Sequence, residues 1–475
     1  AQPLPDKART RRFGLPGGEG ARRHEPYLKN NRIARGVGMT HISTPKDCTG
    51  DKKDECGIIG VYGLEGASEL AHVGLHALQH RGQESAGIVA SDGSNIQSVK
   101  GLGLLSEAID AEDLQDLPGH LAIGHTRYST TGSKRVQNIQ PLVIEYHEGI
   151  VAVGHNGNLS NAKELRERYE SHGALFQTSS DSELIMHLLA DPDWEANDDP
   201  LAEALSRVEG AYSLVMMDAN QLIAARDPHG FRPLSLGRLG DGYVVASESC
   251  AFDLLDATHE REIEPGEIVR IDEDGVHSSR IAEKDQCSRA MCIFEYIYFA
   301  RPDSIMDGQS VHSTRVKLGK KLAEEHPVDA DLVTSVPDSG NSAALGYARA
   351  SGIPPDSGFI RNHYVGRTFI TPAEEARASK VKIKLNVVKD VVEGKRVVVV
   401  DDSIVRGTTS KERIHCLRDV GAEEVHLRIS APPIRCPCYF GIDFADPDEL
   451  IAADRSVEEI RDFLGVDSLG YQSIE

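Results

Sequence analysis

No stretch of this chain stays apolar for long enough to cross a bilayer as a helix. Its first residues likewise lack the apolar core of a secretory signal. Cysteine is scarce, eight in 475 residues and irregularly spaced. That argues against a disulfide framework and for reduced thiols in a cytoplasm. Positive charge is outnumbered, 52 Lys and Arg against 74 Asp and Glu, for a net charge of −22. A surface of that sign repels nucleic acid, so neither DNA nor RNA is an expected partner, and no membrane is. Acidity of this kind fits a salt-rich cytoplasm and an ordinary acidic soluble enzyme equally. The length allows two or three domains, with large cores that need no cross-links.

The charge is unevenly spread. Residues 1–38 hold nine Lys and Arg and three Asp and Glu, a net of +6, so subtraction from −22 leaves −28 for the remainder. This first stretch is rich in Gly, Pro and Arg, and Met39 then opens a more acidic segment. Residues 1–38 read either as sequence upstream of a start codon or as a disordered leader.

Residues 396–410, RVVVVDDSIVRGTTS, carry the most chemistry per residue. Arg396 and four valines read as a buried parallel strand that ends in two adjacent carboxylates, Asp401 and Asp402. The loop Arg406-Gly407-Thr408-Thr409-Ser410 then leads into a helical stretch. In open α/β sheets ligands bind beyond the carboxyl ends of strands. A Gly/Thr/Ser loop at a helix N-terminus offers N–H groups and hydroxyls to a phosphate. Two carboxylates beside it suit sugar hydroxyls and Mg²⁺. A plain strand capped by an acidic turn leaves the coincidence of the three features unexplained. The run resembles the signature of type I phosphoribosyltransferases. That resemblance implies that Asp401 and Asp402 hold the ribose hydroxyls and Mg²⁺ of phosphoribosyl pyrophosphate (PRPP). It implies that Arg406 to Ser410 cradle the 5-phosphate.

The first half has a different character. Cys56 opens CGIIGVYG, a short apolar strand; LHALQHRGQESAGI follows, a helix ending near His80-Arg81-Gly82. HTRYST (125–130), GHNGNLSN (154–161) and SSDSE (179–183) come next, the first two after apolar segments. The pattern reads as strands with ligand-binding turns at their ends. A lone cysteine, such as Cys250, is ordinarily a small buried hydrophobe. Cys56 differs because these five signatures occur in the order found in class II glutamine amidotransferases, which belong to the N-terminal-nucleophile hydrolases. By that resemblance Cys56 is the nucleophile. A free α-amino group on the same residue, titrating at roughly 8, would be its base. Cys56 is internal here, so cleavage of the Glu55–Cys56 bond is expected, with residues 1–55 a largely disordered leader that is removed. The resemblance further implies that Arg127 pairs with the glutamine α-carboxylate and Asp181 with its α-ammonium. It implies that Asn156 and Gly157 form the oxyanion hole and that Arg81 supports the pocket. The ordinary alternatives are a surface arginine, an Asn-Gly turn and a helix N-cap at Asp181.

Later in the chain, LVTSVPDSGNSAALGYA (332–348) reads as strand, turn and helix, and RNHYVGRTFITP (361–372) as a basic polar loop. The resemblance makes the first a pyrophosphate loop, with Ser339 near Mg²⁺. It makes the second a mobile loop whose Arg367 helps neutralise the leaving pyrophosphate. Arg361 and His363 depart from the usual KNRYVGRTF.

The two resemblances together imply an α/β protein of two catalytic domains. Residues 56–285 are expected to form a four-layer αββα sandwich of α+β type. Residues 286–475 are expected to form a mainly parallel sheet with helices on both faces, ending in C-terminal helices over 446–475. The pairing resembles amidotransferases that act on PRPP: glutamine supplies ammonia, PRPP accepts it, and 5-phosphoribosylamine, glutamate and pyrophosphate leave, the committed step of purine synthesis. Another class II amidotransferase would need an isomerase or ATP pyrophosphatase domain, and a PRPP-sensing regulator would not need the glutaminase signatures. Some relatives hold a [4Fe–4S] cluster, and Cys292 and Cys438 fall at two of its positions. The Cys-x-x-Cys segment for the other two ligands is missing, and Cys287 and Cys436 have the wrong spacing. Four thiolates are needed, so Mg²⁺ is the expected cofactor and a cluster is disfavoured. A homo-oligomer under purine-nucleotide feedback is the remaining implication.

Overall fold

The computed structural model describes residues 13–14, 54–129, 136–192, 198–362, 385–442 and 446–474. Most of the expected leader, with His363 and Arg367, lies outside the described residues.

Two antiparallel sheets form the first unit. The strands are β1 (Phe13–Gly14), β2 (Asp54–Tyr62), β3 (Ser85–Ser91), β4 (Asn95–Leu102), β5 (Leu121–Ser129), β6 (Leu142–Tyr146) and β7 (Gly149–Leu159). They continue with β8 (Gly210–Met217), β9 (Leu222–Arg226), β10 (Ser235–Leu239), β11 (Gly242–Ala246), β12 (Thr258–Glu262), β13 (Glu267–Asp272) and β14 (Gly275–Arg280). One sheet runs β1-β4-β3-β5-β2-β11-β10-β12 and the other β14-β13-β9-β8-β7-β6.

Alternation along β2 decides which way each residue faces. Ile58 enters the core between the sheets, with Ile123, Ala152, Val215 and Val269. Ile59 and Val61 face outward, onto the helix Ala67–Ala77. Gly60 faces the inter-sheet layer, where a Cβ would sit 2.7 Å from Leu222 Cδ1. The outer face of the second sheet is covered by the helices Ser182–Leu189 and Pro200–Ser206, through Leu184, Ile185, Leu201 and Leu205. The layering is therefore helix, sheet, sheet, helix.

The second unit centres on a parallel sheet. Its strands β17 (Leu332–Ser335), β20 (Arg396–Asp401), β21 (Glu424–Ile429) and β22 (Ser468–Tyr471) pair in that order. Two small antiparallel pairs, β15–β16 (Ile305–Met306, Gln309–Ser310) and β18–β19 (Phe359–Arg361, Leu385–Val387), lie outside it. The four valines of β20 are buried on both faces, as a central parallel strand requires. Val398 and Val400 pack with Leu322, Ala343 and Tyr347 of the helices Val311–Glu325 and Asn341–Ser351. Val397 and Val399 pack with Ile414, Leu417, Ile460 and Leu464 of the helices Thr408–Asp419 and Val457–Leu464.

The C-terminal segment corrects the sequence reading in one place. Within 446–475 the helix Val457–Leu464 forms, with a capping box between Ser456 and Glu459. Gly465, at φ 73°, then ends it. Ser468–Tyr471 becomes a fourth parallel strand rather than a helical turn. A four-residue run is too short for periodicity to distinguish strand from helix, and the open edge of β21 decides it.

Candidate active sites

Cys56 is the third residue of β2, opposite Arg127 on β5. It is buried. Its backbone N–H donates to Asn156 Oδ1 at 3.3 Å. Its carbonyl accepts from Arg81 Nε at 2.9 Å. Asn156 lies on β7, and its side-chain Nδ2 is buried without a hydrogen-bond acceptor among the described residues. An orphaned buried donor beside a thiol residue is what an oxyanion would complete. Gly157 has φ 149°, and a Cβ there would lie 2.0 Å from the Ala211 carbonyl oxygen. No side chain fits at that position.

Arg127 is buried, its Nη1 3.4 Å from the Asn138 carbonyl. Asp181 stands at the N-cap position of the helix Ser182–Leu189, yet its carboxylate makes no cap hydrogen bond there. It instead accepts from the Leu159 N–H at 3.0 Å and lies 3.7 Å from His155 Nδ1. Burial alone would raise its pKa. The neighbouring His155, with the Leu159 and Ser182 N–H groups, outweighs burial and lowers it to about 2. Asp181 is therefore a fixed negative charge, free of the helix-capping role that the sequence left open.

Several residues at this site went unnoticed in the sequence. His155 Nδ1 lies 3.0 Å from Ser182 Oγ, and Gln140 donates to the same hydroxyl at 3.0 Å while accepting from the His155 N–H at 2.8 Å. Arg81 ion-pairs with Glu248 at 2.6 Å and Glu295 at 2.8 Å, all three side chains fully buried. The one sequence signal was Glu295 itself, a lone carboxylate inside the apolar run CIFEYIYFA.

The second site lies beyond the carboxyl ends of β17 and β20. Ser339 Oγ donates to Asp402 Oδ1 at 2.6 Å, and Ser403 Oγ to Oδ2 at 2.5 Å. Asp401 accepts from the Asp402 N–H at 3.0 Å and pairs with Arg413 at 2.8 Å. Burial raises the Asp401 pKa, Arg413 opposes the rise, and the adjacent Asp402 adds to it. Two carboxylates side by side with one arginine leave a site short of positive charge. Gly407, at φ 75°, starts the helix Thr408–Asp419, and a Cβ there would come within 2.6 Å of Ile451 Cδ1. Thr408 and Thr409 are exposed and Ser410 is buried. Arg406 points to the surface and pairs with Glu449 at 2.6 Å. Arg361 pairs with Asp338 of the 336–340 loop. Sequence reasoning missed Arg413, which lies in the second turn of the helix and carries no motif.

Cys292 and Cys438 pack on one apolar cluster with Phe299, Ile442 and Leu450. Among the described residues no three metal-ligating side chains converge.

A family model described as "Glutamine amidotransferase domain" matches residues 125–253. Amidophosphoribosyltransferase of Bacillus subtilis (strain 168) is 51% identical over 423 residues, covering 89% of this chain and 88% of that one. The same-named protein of Methanothermobacter thermautotrophicus is 48% identical over 431 residues, covering 89% and 90%. The solved structure of glutamine PRPP amidotransferase from B. subtilis complexed with ADP and GMP matches with a TM-score of 0.83 at 50% identity, covering 88% of this chain and 91% of that one.

Fold and comparisons together define an N-terminal-nucleophile glutamine amidotransferase joined to a phosphoribosyltransferase. The chain is an enzyme of purine biosynthesis, and it belongs to the amidophosphoribosyltransferase family. Likeness across nine-tenths of the chain disposes of the two rival readings, a different class II amidotransferase and a non-catalytic PRPP sensor. No described helix is long and apolar enough to cross a membrane.

Proposed function

We propose that this chain takes glutamine, PRPP and water to 5-phosphoribosylamine, glutamate and pyrophosphate, with Cys56 as nucleophile once the Glu55–Cys56 bond is cut. On this reading residues 1–55 are a leader, 56–285 the glutaminase and 286–475 the phosphoribosyltransferase. One observation carries the glutaminase half. The Cys56 nitrogen lies within hydrogen-bond reach of Asn156 Oδ1, while Asn156 Nδ2 is a buried donor with no acceptor among the described residues.

The freed α-amine, held by Asn156 Oδ1, takes the thiol proton. The thiolate attacks the glutamine amide carbon, and Asn156 Nδ2 with the Gly157 N–H bears the oxyanion. The C–N bond breaks, and the leaving nitrogen takes the amine's proton and departs as ammonia. Water then opens the thioester, giving glutamate and free Cys56. Arg127 and Asp181 hold the α-carboxylate and α-ammonium of glutamine.

At the second site ammonia adds to C1 of the ribose as pyrophosphate leaves, then loses a proton. Asp401 and Asp402 hold the ribose hydroxyls, Gly407 to Ser410 the 5-phosphate, and Arg367 the pyrophosphate. The exposed Arg406–Glu449 pair leaves Arg406 at the rim. The acidic pair with Ser339 fits Mg²⁺, an ion commonly held by one or two carboxylates together with substrate phosphates. Bound there, the ion would neutralise charge developing on pyrophosphate. Ammonia in neutral water would mostly protonate and lose its nucleophilicity, so an enclosed transfer between the sites belongs to this reading. Homo-oligomerisation and purine-nucleotide control are proposed with it.

The test pairs N-terminal sequencing of active enzyme with Cys56→Ala kinetics. The mature chain is expected to begin at Cys56. Cys56→Ala is expected to lose glutamine-dependent synthesis and keep synthesis from added ammonia. A fully active chain with an intact Glu55–Cys56 bond would refute the mechanism.

A further inference from the structure

Four charged side chains are sealed between the two units. Arg81 and Arg232 meet Glu248 and Glu295, each with a side chain at most 1% exposed. Arg81 Nη1 and Nη2 donate to the two oxygens of Glu295 at 2.9 and 2.8 Å, a bidentate fork. Arg232 also donates to Glu295, at 3.1 Å, and to the Phe440 carbonyl at 2.9 Å. Glu248 accepts from Arg81, from the Arg301 N–H at 2.9 Å and from Ser304 Oγ at 2.7 Å. Burying charges costs solvation, and such a set survives only where every member is paired.

The Nε–H of the Arg81 guanidinium donates to the Cys56 carbonyl at 2.9 Å. A guanidinium is planar and rigid. Whatever fixes two of its corners fixes the direction of the third. Glu295 fixes those two corners, and it comes from the segment that opens the second unit, 214 residues along the chain from Arg81. That segment, Glu295–Phe299, is braced from its far side. Arg315 donates to the carbonyls of Tyr296 at 2.5 Å and Ala300 at 2.9 Å.

We propose that Glu295 is a positioning residue for the glutaminase nucleophile: by clamping the Arg81 fork it sets where the Cys56 carbonyl, and with it the Cys56 amine and thiol, is held. The assignment rests on the glutaminase reading of Cys56. A small displacement of a reacting group costs on the order of 10²-fold in rate, so the clamp acts on turnover more than on binding. It also places the nucleophile's support on the unit that carries Asp401 and Asp402.

The test uses the mature full-length enzyme with Glu295→Gln, Arg81→Lys and the double variant. Glu295→Gln keeps the shape of the side chain and removes its charge. Glutamine-dependent kcat is expected to fall by roughly tenfold or more, with the KM for glutamine changed less than about threefold. Synthesis from added ammonia and PRPP is expected to stay within about twofold of the parent, because Asp401 and its loops are untouched. Alkylation of Cys56 by iodoacetamide, followed by mass across pH, is expected to slow in the variant. The double variant should be no worse than Arg81→Lys alone, since both act through one fork. An unchanged alkylation profile overturns the proposal. So does an equal loss of the ammonia-dependent and glutamine-dependent rates, which marks a purely structural defect, or additivity in the double variant. Alkylation needs no turnover, so a parent enzyme without glutamine-dependent synthesis would defeat the proposed reaction while this arm still judged Glu295.

Discussion

Single residues set the chemistry of the first site. Asn156 turns its side-chain oxygen toward the Cys56 nitrogen, and its Nδ2 meets no acceptor among the described residues. Asn156→Ala should lower glutamine-dependent kcat by about 10²–10³-fold, the usual loss for one oxyanion donor. Ammonia-dependent synthesis should be unchanged, and steady-state assays with each nitrogen source check both. Asp181 makes a pH prediction. Its folded pKa, about 2, lies below the ordinary 3.8. A depressed carboxylate contributes stability above its unfolded pKa and loses it as pH falls through the folded value. The urea midpoint of Asp181→Asn should therefore fall below the parent's at pH 7. That gap should shrink between about pH 4 and pH 2. A constant gap would contradict the assignment. The sequence signalled Cys56, Arg127, Asn156, Gly157 and Asp181 because each sits in a local motif. It did not signal Glu248 or Arg413, whose importance comes only from what folds against them.

At the scale of elements, close approach is the recurring constraint. The helices Val311–Glu325 and Asn341–Ser351 touch backbone to backbone at Gly319 and Gly346. A Cβ on Gly319 would lie 1.8 Å from the Ala343 carbonyl oxygen, and one on Gly346 2.1 Å from that of Val316. Gly319→Ala must push the pair apart and disturb the layer over Val398 and Val400. A cost of about 1–3 kcal/mol is expected, as for other overpacked contacts, and thermal melting reads it. Ammonia-dependent activity should fall with it, because the loop 336–340, whose Ser339 meets Asp402, opens one of these helices. Elements with a clear local signal were legible in sequence: the valine strand, and the strand, turn and helix of 332–348. The strand β22 was not, for four residues show no period.

For the whole molecule, charge and coupling make the predictions. A net charge of −22 means self-repulsion in the folded state. Salt screens it, with a Debye length near 10 Å at 0.1 M. The melting temperature should rise from low to molar KCl, and a fall would show that surface ion pairs such as Arg396–Asp331 outweigh the repulsion. Closure over PRPP should also govern ammonia release, so glutaminase turnover should rise when PRPP is added; equal rates would count against coupled sites. The sequence by itself determined the class of chemistry in each half and the buried valine strand β20. Apolar runs are local, and motifs are short. Only the tertiary structure decided that Glu295 would grip Arg81, that Arg413 would face Asp401, and that Asp181 would lie beside His155 rather than cap its helix. Compensation of buried charge depends on which distant segments arrive together, and no local pattern encodes that.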